Sequence, residues 1–325
     1  MPKAMPMLSL IALGCASAAL SQAQLGDQSR FEVGGPLGVT VGDVHTPMSA
    51  NVKVYGAVVN AESCVYDPSR KLIMVINRGA AQPEAPNDAF VSLLNPDGSV
   101  HTAKWIGLTR AGLILNQPFG SAIHAGKLYL ADSDGDTADR APRVSVLRTF
   151  DMATGSPLGE IRVEASPWFN DIAVAADGTV YATQTGTAND PTSMRVYKVT
   201  PAGEASVLVE GAPLSNPNGI AIDGDGSLVV VNLGNTDVLT FSPAGDLLKT
   251  EQAAQAGNDG LVIMPDGTKY ISSVRQGGIQ RLSPGRPTEL IATGIPSGAS
   301  MCYDSDGNQL VIPMNPNNAV AIVKL

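Results

Sequence analysis

Side-chain oxygens recur at one fixed position of a repeated sequence pattern, seven residues before a short turn motif. In three stretches, NDIAVAADG, NGIAIDGDG and DGLVIMPDG, the first residue precedes an Asp-Gly turn by seven places. Three weaker copies, ESCVYDPSR, PFGSAIHAG and ASMCYDSDG, keep the same offset. We call the first residue of each copy an anchor. The anchors are Glu62, Pro118, Asn170, Asn218, Asp259 and Ala299.

The four anchors that carry a side-chain oxygen have the chemistry of ligands for a hard divalent cation. Two carboxylates and two amide carbonyls, without His or Cys, favour Ca²⁺, with Mg²⁺, Mn²⁺ and Zn²⁺ as the alternatives. Such a cation can polarise a substrate carbonyl and acidify a bound water molecule. The competing interpretation is that each Asn or Asp only caps its own turn. Because the four share one phase of the repeat, we favour one metal site formed by Glu62, Asn170, Asn218 and Asp259.

The elements around the anchors predict an all-β fold. After each anchor come an apolar segment, a tight turn and a second apolar segment such as KLIMVI, SLVVVN or QLVIPM. A third segment follows, and in five repeats a turn such as NPDGS or SPAGD leads to a fourth. Anchors 40 to 56 residues apart, each starting a four-stranded antiparallel blade, predict a six-bladed β-propeller. A pair of β-sandwiches is the alternative, but it does not account for six matching anchors.

The sixth repeat predicts how the ring closes. It ends in NNAVAIVKL and has only three strands of its own. The segment ANVKVYGAVV, residues 50–59, precedes the first repeat and is expected to complete the sixth blade as an N-terminal closing strand. The first strand of each blade in a propeller lines the central channel. The anchors would therefore form a ring around the axis.

The N-terminus has the pattern of an export signal. Lys3, an apolar run over residues 7–20 and the small residues that end at Ala23 predict a signal peptide over residues 1–23. Residues 24–325 are expected to form a single propeller domain without a membrane span, secreted or periplasmic and monomeric. A net charge of −9 without a basic cluster disfavours nucleic acid as a partner. An acidic chain suits metal cations and neutral or cationic ligands better. The expected partner is a small-molecule substrate.

Two cysteines lie in the first and last repeats. Cys64 stands two residues after its anchor and Cys302 three after its own, so strand alternation predicts that they point to opposite faces. An oxidising compartment would permit a disulfide. We favour two separate buried thiols on the strand argument.

The repeats resemble the SMP-30/gluconolactonase family of six-bladed propellers, which includes regucalcin and related lactonases. AESCVYDPSRKLIMV is similar to the family's metal-binding Glu strand, and WFNDIAVAADGTVYAT to its Asn-Asp strand. NPNGIAIDGDGSLVVVN and GNDGLVIMPDGTKYI are similar to its Pro-Asn-Gly and Asp-Gly strands. The resemblance runs from Glu62 to the C-terminus. It implies a divalent cation held by Glu62, Asn170, Asn218 and Asp259, with Asp259 also acting as a general acid or base.

One position departs from the family pattern. Sugar lactonases of this family often carry Arg two residues before the Asn-Asp pair, where this chain has Trp168 followed by Phe169. These rings are candidates to bind a more apolar substrate or to stack on a sugar, although both could simply pack between blades. His124, on the channel strand of blade 2, is a further candidate for substrate binding. The stretch DSDGDTAD, residues 132–139, resembles the start of a calcium loop, but Thr137 and Arg143 replace the expected Gly and Glu.

These observations favour a metal-dependent hydrolase of a lactone or related ester. Motifs of serine hydrolases, zinc proteases, nucleotide-binding P-loops and thiol-redox proteins are missing from the sequence. A non-catalytic propeller with a structural metal that binds a ligand or protein partner is the alternative. An isomerase or cyclase that uses the same polarised carbonyl is a third candidate.

Overall fold

Six four-stranded antiparallel sheets form a ring in the computed structural model, which describes residues 37–41, 43–80, 87–107, 112–135 and 142–325. The chain begins with β1 (Gly38–Val41), β2 (Val44–Pro47) and β3 (Val52–Tyr55). Blade 1 consists of β4 (Ala61–Asp67), β5 (Leu72–Asn77), β6 (Phe90–Leu94) and β7 (Val100–Gly107). Blade 2 consists of β8 (Ser121–His124), β9 (Lys127–Asp134), β10 (Val144–Asp151) and β11 (Pro157–Val163).

The next three blades repeat this order. Blade 3 consists of β12 (Ile172–Val174), β13 (Val180–Gln184), β14 (Arg195–Val199) and β15 (Ala205–Glu210). Blade 4 consists of β16 (Pro217–Ile222), β17 (Leu228–Asn232), β18 (Asp237–Phe241) and β19 (Leu247–Gln252). Blade 5 consists of β20 (Asn258–Ile263), β21 (Lys269–Ser273), β22 (Ile279–Leu282) and β23 (Glu289–Ala292).

Blade 6 confirms the predicted closure of the ring. It consists of β24 (Cys302–Asp304), β25 (Gln309–Met314) and β26 (Ala319–Lys324), with β3 as its fourth strand. β3 pairs antiparallel with β26, in a register that places Tyr55 opposite Val320. The all-β, six-bladed prediction is therefore confirmed. Short 3₁₀ turns occur at Pro191–Ser193 and Asn315–Asn317.

Apolar side chains of neighbouring blades form the core between them. Val229 and Val231 of blade 4, for example, pack with Leu261 and Ile271 of blade 5. The second strands are buried on both faces, which explains why they read as continuous apolar runs in the sequence. The outermost strands, such as β19, are largely exposed. This layering leaves the first strands to line the axis.

The expectation of two separate thiols is wrong, because Cys64 and Cys302 form a disulfide with a Cα–Cα distance of 5.5 Å. They lie on the first strands of blades 1 and 6, which are neighbours in the closed ring. Neighbouring blades present opposite faces to each other. A difference of one position in strand phase therefore brings these side chains together, into the core that also contains Val75 and Val311.

The predicted signal peptide, residues 1–23, lies outside the described residues, as does the following segment 24–36. In the part of the chain that the structure describes, no helix is long and apolar enough to span a membrane.

Candidate functional site

β-Bulges occur at three of the four oxygen-bearing anchors. In blade 1 the ladder between β4 and β5 shifts between Ala61 and Ser63, which makes Glu62 the extra residue. The first ladders of blades 4 and 5 shift in the same way at Asn218 and Asp259. A bulge re-aims a side chain and often lies next to a functional site. The recurring anchor phase in the sequence therefore corresponds to a recurring irregularity in the first strand.

Hydrogen bonds between blades hold the backbone at the anchors. Gly120 N donates to Asn170 O at 2.7 Å, and Ser300 N donates to Glu62 O at 3.1 Å. Hydroxyl groups make three further links, Ser63 Oγ to Phe119 O, Thr183 Oγ1 to Asn218 O and Ser272 Oγ to Ala299 O. These links join the anchor segments of neighbouring blades, which lie in the first strands or just before them.

Asn218 and Asp259 form the central pair of the site. Asn218 Nδ2 donates to Asp259 Oδ2 at 3.1 Å. The amide oxygen of Asn218 and the second carboxylate oxygen of Asp259, Oδ1, are buried and have no hydrogen-bond partner. Burial raises the pKa of Asp259 well above its usual range, and the nearby carboxylates of Glu62 and Asp171 raise it further. Unpartnered buried oxygens are costly, which makes this pair a candidate for ligand binding.

Glu62 and Arg78 form the second element of the site. Arg78 Nη1 lies 3.3 Å from Glu62 Oε2, and both side chains are largely buried. Burial raises the pKa of Glu62, while the Arg78 guanidinium opposes this shift. Arg78 is the first residue after β5 and contacts the anchor of its own blade. The guanidinium thereby fixes one carboxylate oxygen of Glu62.

Asn170 and Asp171 extend the site into blade 3. Asn170 Nδ2 donates to Thr185 Oγ1 at 3.0 Å, which leaves the amide oxygen as the atom available to a ligand. Asp171 accepts hydrogen bonds from Ile172 N at 2.9 Å and from Ile220 N at 3.2 Å. Burial raises the pKa of Asp171 to about 7 against these hydrogen bonds, and Glu62 adds to the increase. Asp171 thus joins blades 3 and 4 beside the anchors.

An aromatic and cationic wall lies beside Glu62. The rings of Phe119 and Trp168 are in contact, with centroids 4.8 Å apart. The guanidinium carbon of Arg78 lies 4.2 Å from the Phe119 centroid. Arg143 approaches the same two rings, 5.7 Å from Phe119 and 5.6 Å from Trp168. We call Arg78, Phe119, Arg143 and Trp168 the arginine–aromatic wall.

The other two candidates for substrate binding are not brought to this wall. Phe169 is fully buried and packs against Tyr197, with centroids 5.3 Å apart. Adjacent residues of an extended chain point to opposite sides, so Phe169 enters the core while Trp168 forms part of the wall. His124 is the last residue of β8 and lies next to the turn at the far end of that strand. Six residues separate it from its anchor, roughly 20 Å of strand.

The acidic stretch at residues 132–139 begins inside β9, and its described part is not built as a calcium loop. Asp132 is buried in an ion pair with Arg148, at 2.6 Å. Asp134 pairs with both Arg148 and Arg162. The remaining acidic residues of the stretch, Asp136 and Asp139, lie outside the described residues.

The oxygen-bearing anchors fit a hard divalent cation by the chemistry of their donors. Glu62 and Asp259 supply carboxylate oxygens, and Asn170 and Asn218 supply amide oxygens. Among the residues that the structure describes, no three His, Cys, Asp or Glu side chains are grouped to hold a metal ion. A cation at this place therefore depends on the two amide oxygens. The partnerless Asn218 Oδ1 and Asp259 Oδ1 support that arrangement.

Several residues of the site are not found by the repeat pattern alone. Phe119 and Asp171 each follow an anchor directly, and Arg78 follows the second strand of a blade, so these positions were within reach of a comparison between repeats. Arg143 gave no such signal. Arg143 comes after a loop of irregular length, and only the folded ring brings it to blade 3.

Comparison with known proteins agrees with the predicted resemblance. Residues 62–313 match a family model described as the SMP-30/gluconolactonase/LRE-like region. A comparison with curated protein sequences finds no significant match.

Solved structures share the fold at low sequence identity. A gluconolactonase from Xanthomonas campestris has a TM-score of 0.57 at 18% identity, covering 90% of this chain and 95% of that one. A calcium-binding regucalcin from Agrobacterium tumefaciens has a TM-score of 0.58 at 16% identity, with coverages of 82% and 90%. Virginiamycin B lyase from Staphylococcus aureus has a TM-score of 0.57 at 13% identity, with coverages of 84% and 99%. Hydrolase and lyase names on one fold show that the fold alone does not decide the reaction.

Proposed function

This chain belongs to the SMP-30/gluconolactonase/LRE-like family, and from that premise we propose that it hydrolyses a lactone or related ester with a divalent cation at the anchors. The observation that carries the proposal is the pair of buried, partnerless oxygens on Asn218 and Asp259, next to Glu62. Ca²⁺ is the first candidate, because the donors are oxygens alone and include two neutral amides. Mg²⁺, Mn²⁺ and Zn²⁺ are the alternatives to be compared.

When bound, the cation would supply polarisation of the substrate carbonyl and a lowered pKa for water. Glu62, Asn170, Asn218 and Asp259 would hold it. The net reaction adds one water across the C–O bond of the ring: a new C–O bond forms at the carbonyl carbon, and the ring oxygen leaves with a proton. The product is a hydroxy acid.

The protein groups position the water and move the proton. Asp259 Oδ2 accepts from Asn218, so Oδ1 is the atom that can orient a water or accept its proton. As a ligand, Asp259 would have a lower pKa than in the metal-free site and would be a weak base. We therefore assign it first to orientation of the water. Arg78 fixes Glu62, and burial excludes bulk solvent from the pair.

A chelation experiment tests this function. Purified protein should hydrolyse at least one member of a panel of sugar and aliphatic lactones, lose that activity with a chelator, and regain it with Ca²⁺. Chelator-insensitive hydrolysis would contradict a metal-dependent reaction. A bound metal without hydrolysis of any lactone or ester would favour the non-catalytic propeller.

We also propose that the protein is exported. The N-terminal pattern of residues 1–23 supports this, and so does the disulfide between Cys64 and Cys302, because disulfides persist in oxidising compartments. N-terminal sequencing of protein recovered from the periplasm or the medium should begin close to residue 24. Retention of the intact N-terminus inside the cell would contradict export.

A further inference from the structure

The two arginines of the arginine–aromatic wall have few direct carboxylate contacts among the described residues. Arg143 donates from Nε to Ser133 Oγ and from Nη2 to Gln117 Oε1, and both acceptors are neutral. Among the described residues, no carboxylate forms an ion pair with Arg143. Arg78 has Glu62 as its one carboxylate partner there, at 3.3 Å, and its Nε is buried without a hydrogen bond.

The positive charges of the Arg78 and Arg143 guanidinium groups repel each other. Burial lowers the pKa of Arg143 to about 10 and the positive charge of Arg78 contributes to this shift, while the Asp132 carboxylate opposes it. The Phe119 and Trp168 rings offer partial compensation, because a cation over an aromatic face is attracted by the ring quadrupole. This attraction is weaker than a charge-assisted hydrogen bond to an anion. Within the described residues, the guanidinium fork of Arg143 therefore lacks a direct carboxylate contact.

The missing partner is best supplied by a small anion. Arginine presents its donors as a planar fork that matches carboxylate or phosphate oxygens. The wall stands beside the anchors, because Arg78 contacts Glu62 directly and Phe119 as well. An anionic group bound by these arginines would belong to the substrate whose carbonyl reacts near Asp259 in the proposed reaction. The protein as a whole is acidic, with a net charge of −9, so a pair of neighbouring arginines differs in sign from the average of the chain.

We propose that Arg78 and Arg143 form a subsite for a carboxylate carried by the substrate, so that the protein acts on acidic lactones in preference to neutral ones. This proposal rests on the proposed hydrolase function and names its substrate class. Trp168, which is half-buried, forms the side of the subsite against which the body of the substrate packs.

Arg143 is the residue to test, because Arg78 also contacts Glu62. The substrates are glucarolactone, which carries a carboxylate, gluconolactone, which is neutral, and phosphogluconolactone, which carries a phosphate. In the wild-type protein loaded with Ca²⁺, we expect kcat/KM to be highest for glucarolactone. Arg143→Gln should lower kcat/KM for glucarolactone roughly tenfold to a hundredfold more than for gluconolactone, mainly through KM. Arg143→Lys, which keeps the charge but not the fork, should recover part of this loss.

A matched control removes the same charge elsewhere. Arg281→Gln changes an exposed arginine on blade 5 that pairs with Glu289, and it should leave the preference between the two lactones unchanged. Equal losses on both lactones in Arg143→Gln would overturn the proposal. So would a larger dependence on Arg143 for phosphogluconolactone than for glucarolactone, because the bound anion would then be a phosphate.

Direct binding separates the subsite from the reaction. If the wild-type protein hydrolyses no lactone, the proposed function fails, and calorimetric titration of the Ca²⁺-loaded protein with glucarate then decides about the subsite. Binding that weakens at least roughly tenfold in Arg143→Gln but not in Arg281→Gln upholds it. Equal glucarate binding by both variants, or none by the wild-type protein, overturns it.

Discussion

Aspartates lie near both ends of the first strands of the blades, and the electrostatic surroundings differ between the two ends. At the turn end, Asp177, Asp225 and Asp266 each accept a hydrogen bond from the backbone N–H two residues later. Hydrogen bonds to these exposed carboxylates lower their pKa. At the anchor end, burial raises the pKa of Asp171 and Asp259 instead. Of these aspartates, only those at the anchor end have a burial cost that the neighbouring groups do not compensate.

This difference separates structural from functional use of the same side chain. The turn-end aspartates stabilise the turn that precedes the second strand, in agreement with the turn-capping interpretation. The anchor-end acids oppose folding when no ligand is present, since burial disfavours their charged forms. Shifts of this kind are concentrated at functional sites. Substitutions at the two ends should therefore have different consequences.

The largest difference is expected in activity. Asp259→Asn should lower kcat for lactone hydrolysis roughly a hundredfold to ten-thousandfold, because it removes the carboxylate that holds the cation and orients water. Asp266→Asn, seven residues later on the same blade, should leave kcat within about twofold of the wild-type value, because Asp266 only caps a turn. Steady-state assays of both variants at saturating Ca²⁺ check this. Similar activities in the two variants would remove the distinction between the ends.

Metal affinity should separate the ends next. Glu62→Gln removes an anionic ligand and Asn218→Ala removes a neutral one. Each should weaken Ca²⁺ binding by more than the roughly tenfold to hundredfold typical of residues outside the first coordination shell. Asp225→Asn serves as the turn-end control and should bind Ca²⁺ like the wild-type protein. Calorimetric titrations of the metal-free proteins measure these affinities, and unchanged binding in both anchor variants would contradict a shared site.

Glycine substitutions should show a difference in stability. A Cβ on Gly219, next to the anchor Asn218, would lie 2.2 Å from the backbone oxygen of Asp259. Gly219→Ala should therefore cost about 3 kcal/mol or more, since backbone of two blades must move. Gly226 lies in an open turn with a φ of +86°, so Gly226→Ala should cost only about 1–2 kcal/mol through backbone strain. Chemical denaturation of both variants tests this, and a larger cost at Gly226 would reverse the comparison.

The pH dependence of stability should have opposite signs at the two ends in the metal-free protein. The pKa of Asp171 is raised to about 7, so its favourable contribution is complete below about pH 4 and is lost as pH rises through 7. Because an amide does not ionise, the stability of Asp171→Asn relative to the wild-type protein should rise with pH over this range, by up to about 4 kcal/mol.

The turn-end control should behave in the reverse way. Hydrogen bonds lower the pKa of Asp225, so its contribution is present above about pH 4 and is lost as pH falls. Asp225→Asn should therefore be less stable than the wild-type protein near pH 7, and the difference should fade in acid. Thermal melts between pH 3 and 8, roughly the range of these transitions, compare the variants. The same sign for both would contradict the assigned surroundings.

The sequence predicts the periodic part of this molecule well. Six matching anchors, turns of fixed chemistry and apolar second strands were enough for the blades, and the three-stranded last repeat was enough for closure by β3. The family assignment is confirmed over residues 62–313. These features depend on local patterns of two to ten residues, which a sequence displays directly.

Contacts between segments that are distant in the sequence were harder to predict. The disulfide was missed because strand phase was compared within one sheet, although Cys64 and Cys302 face each other from two blades. Arg143 reaches Trp168 only through the geometry of the ring. The assignment of Asp259 and its partners as metal ligands stays a prediction, supported by their burial and by two partnerless oxygens.

The stoichiometry of bound metal tests the central claim most directly. Purified protein would be stripped with a chelator, loaded with Ca²⁺, desalted and submitted to elemental analysis beside Asp259→Asn treated in the same way. The account predicts about one divalent ion per wild-type chain and little or none in the variant. Failure of the wild-type protein to retain Ca²⁺, Mg²⁺, Mn²⁺ or Zn²⁺, or equal retention by the variant, would contradict it.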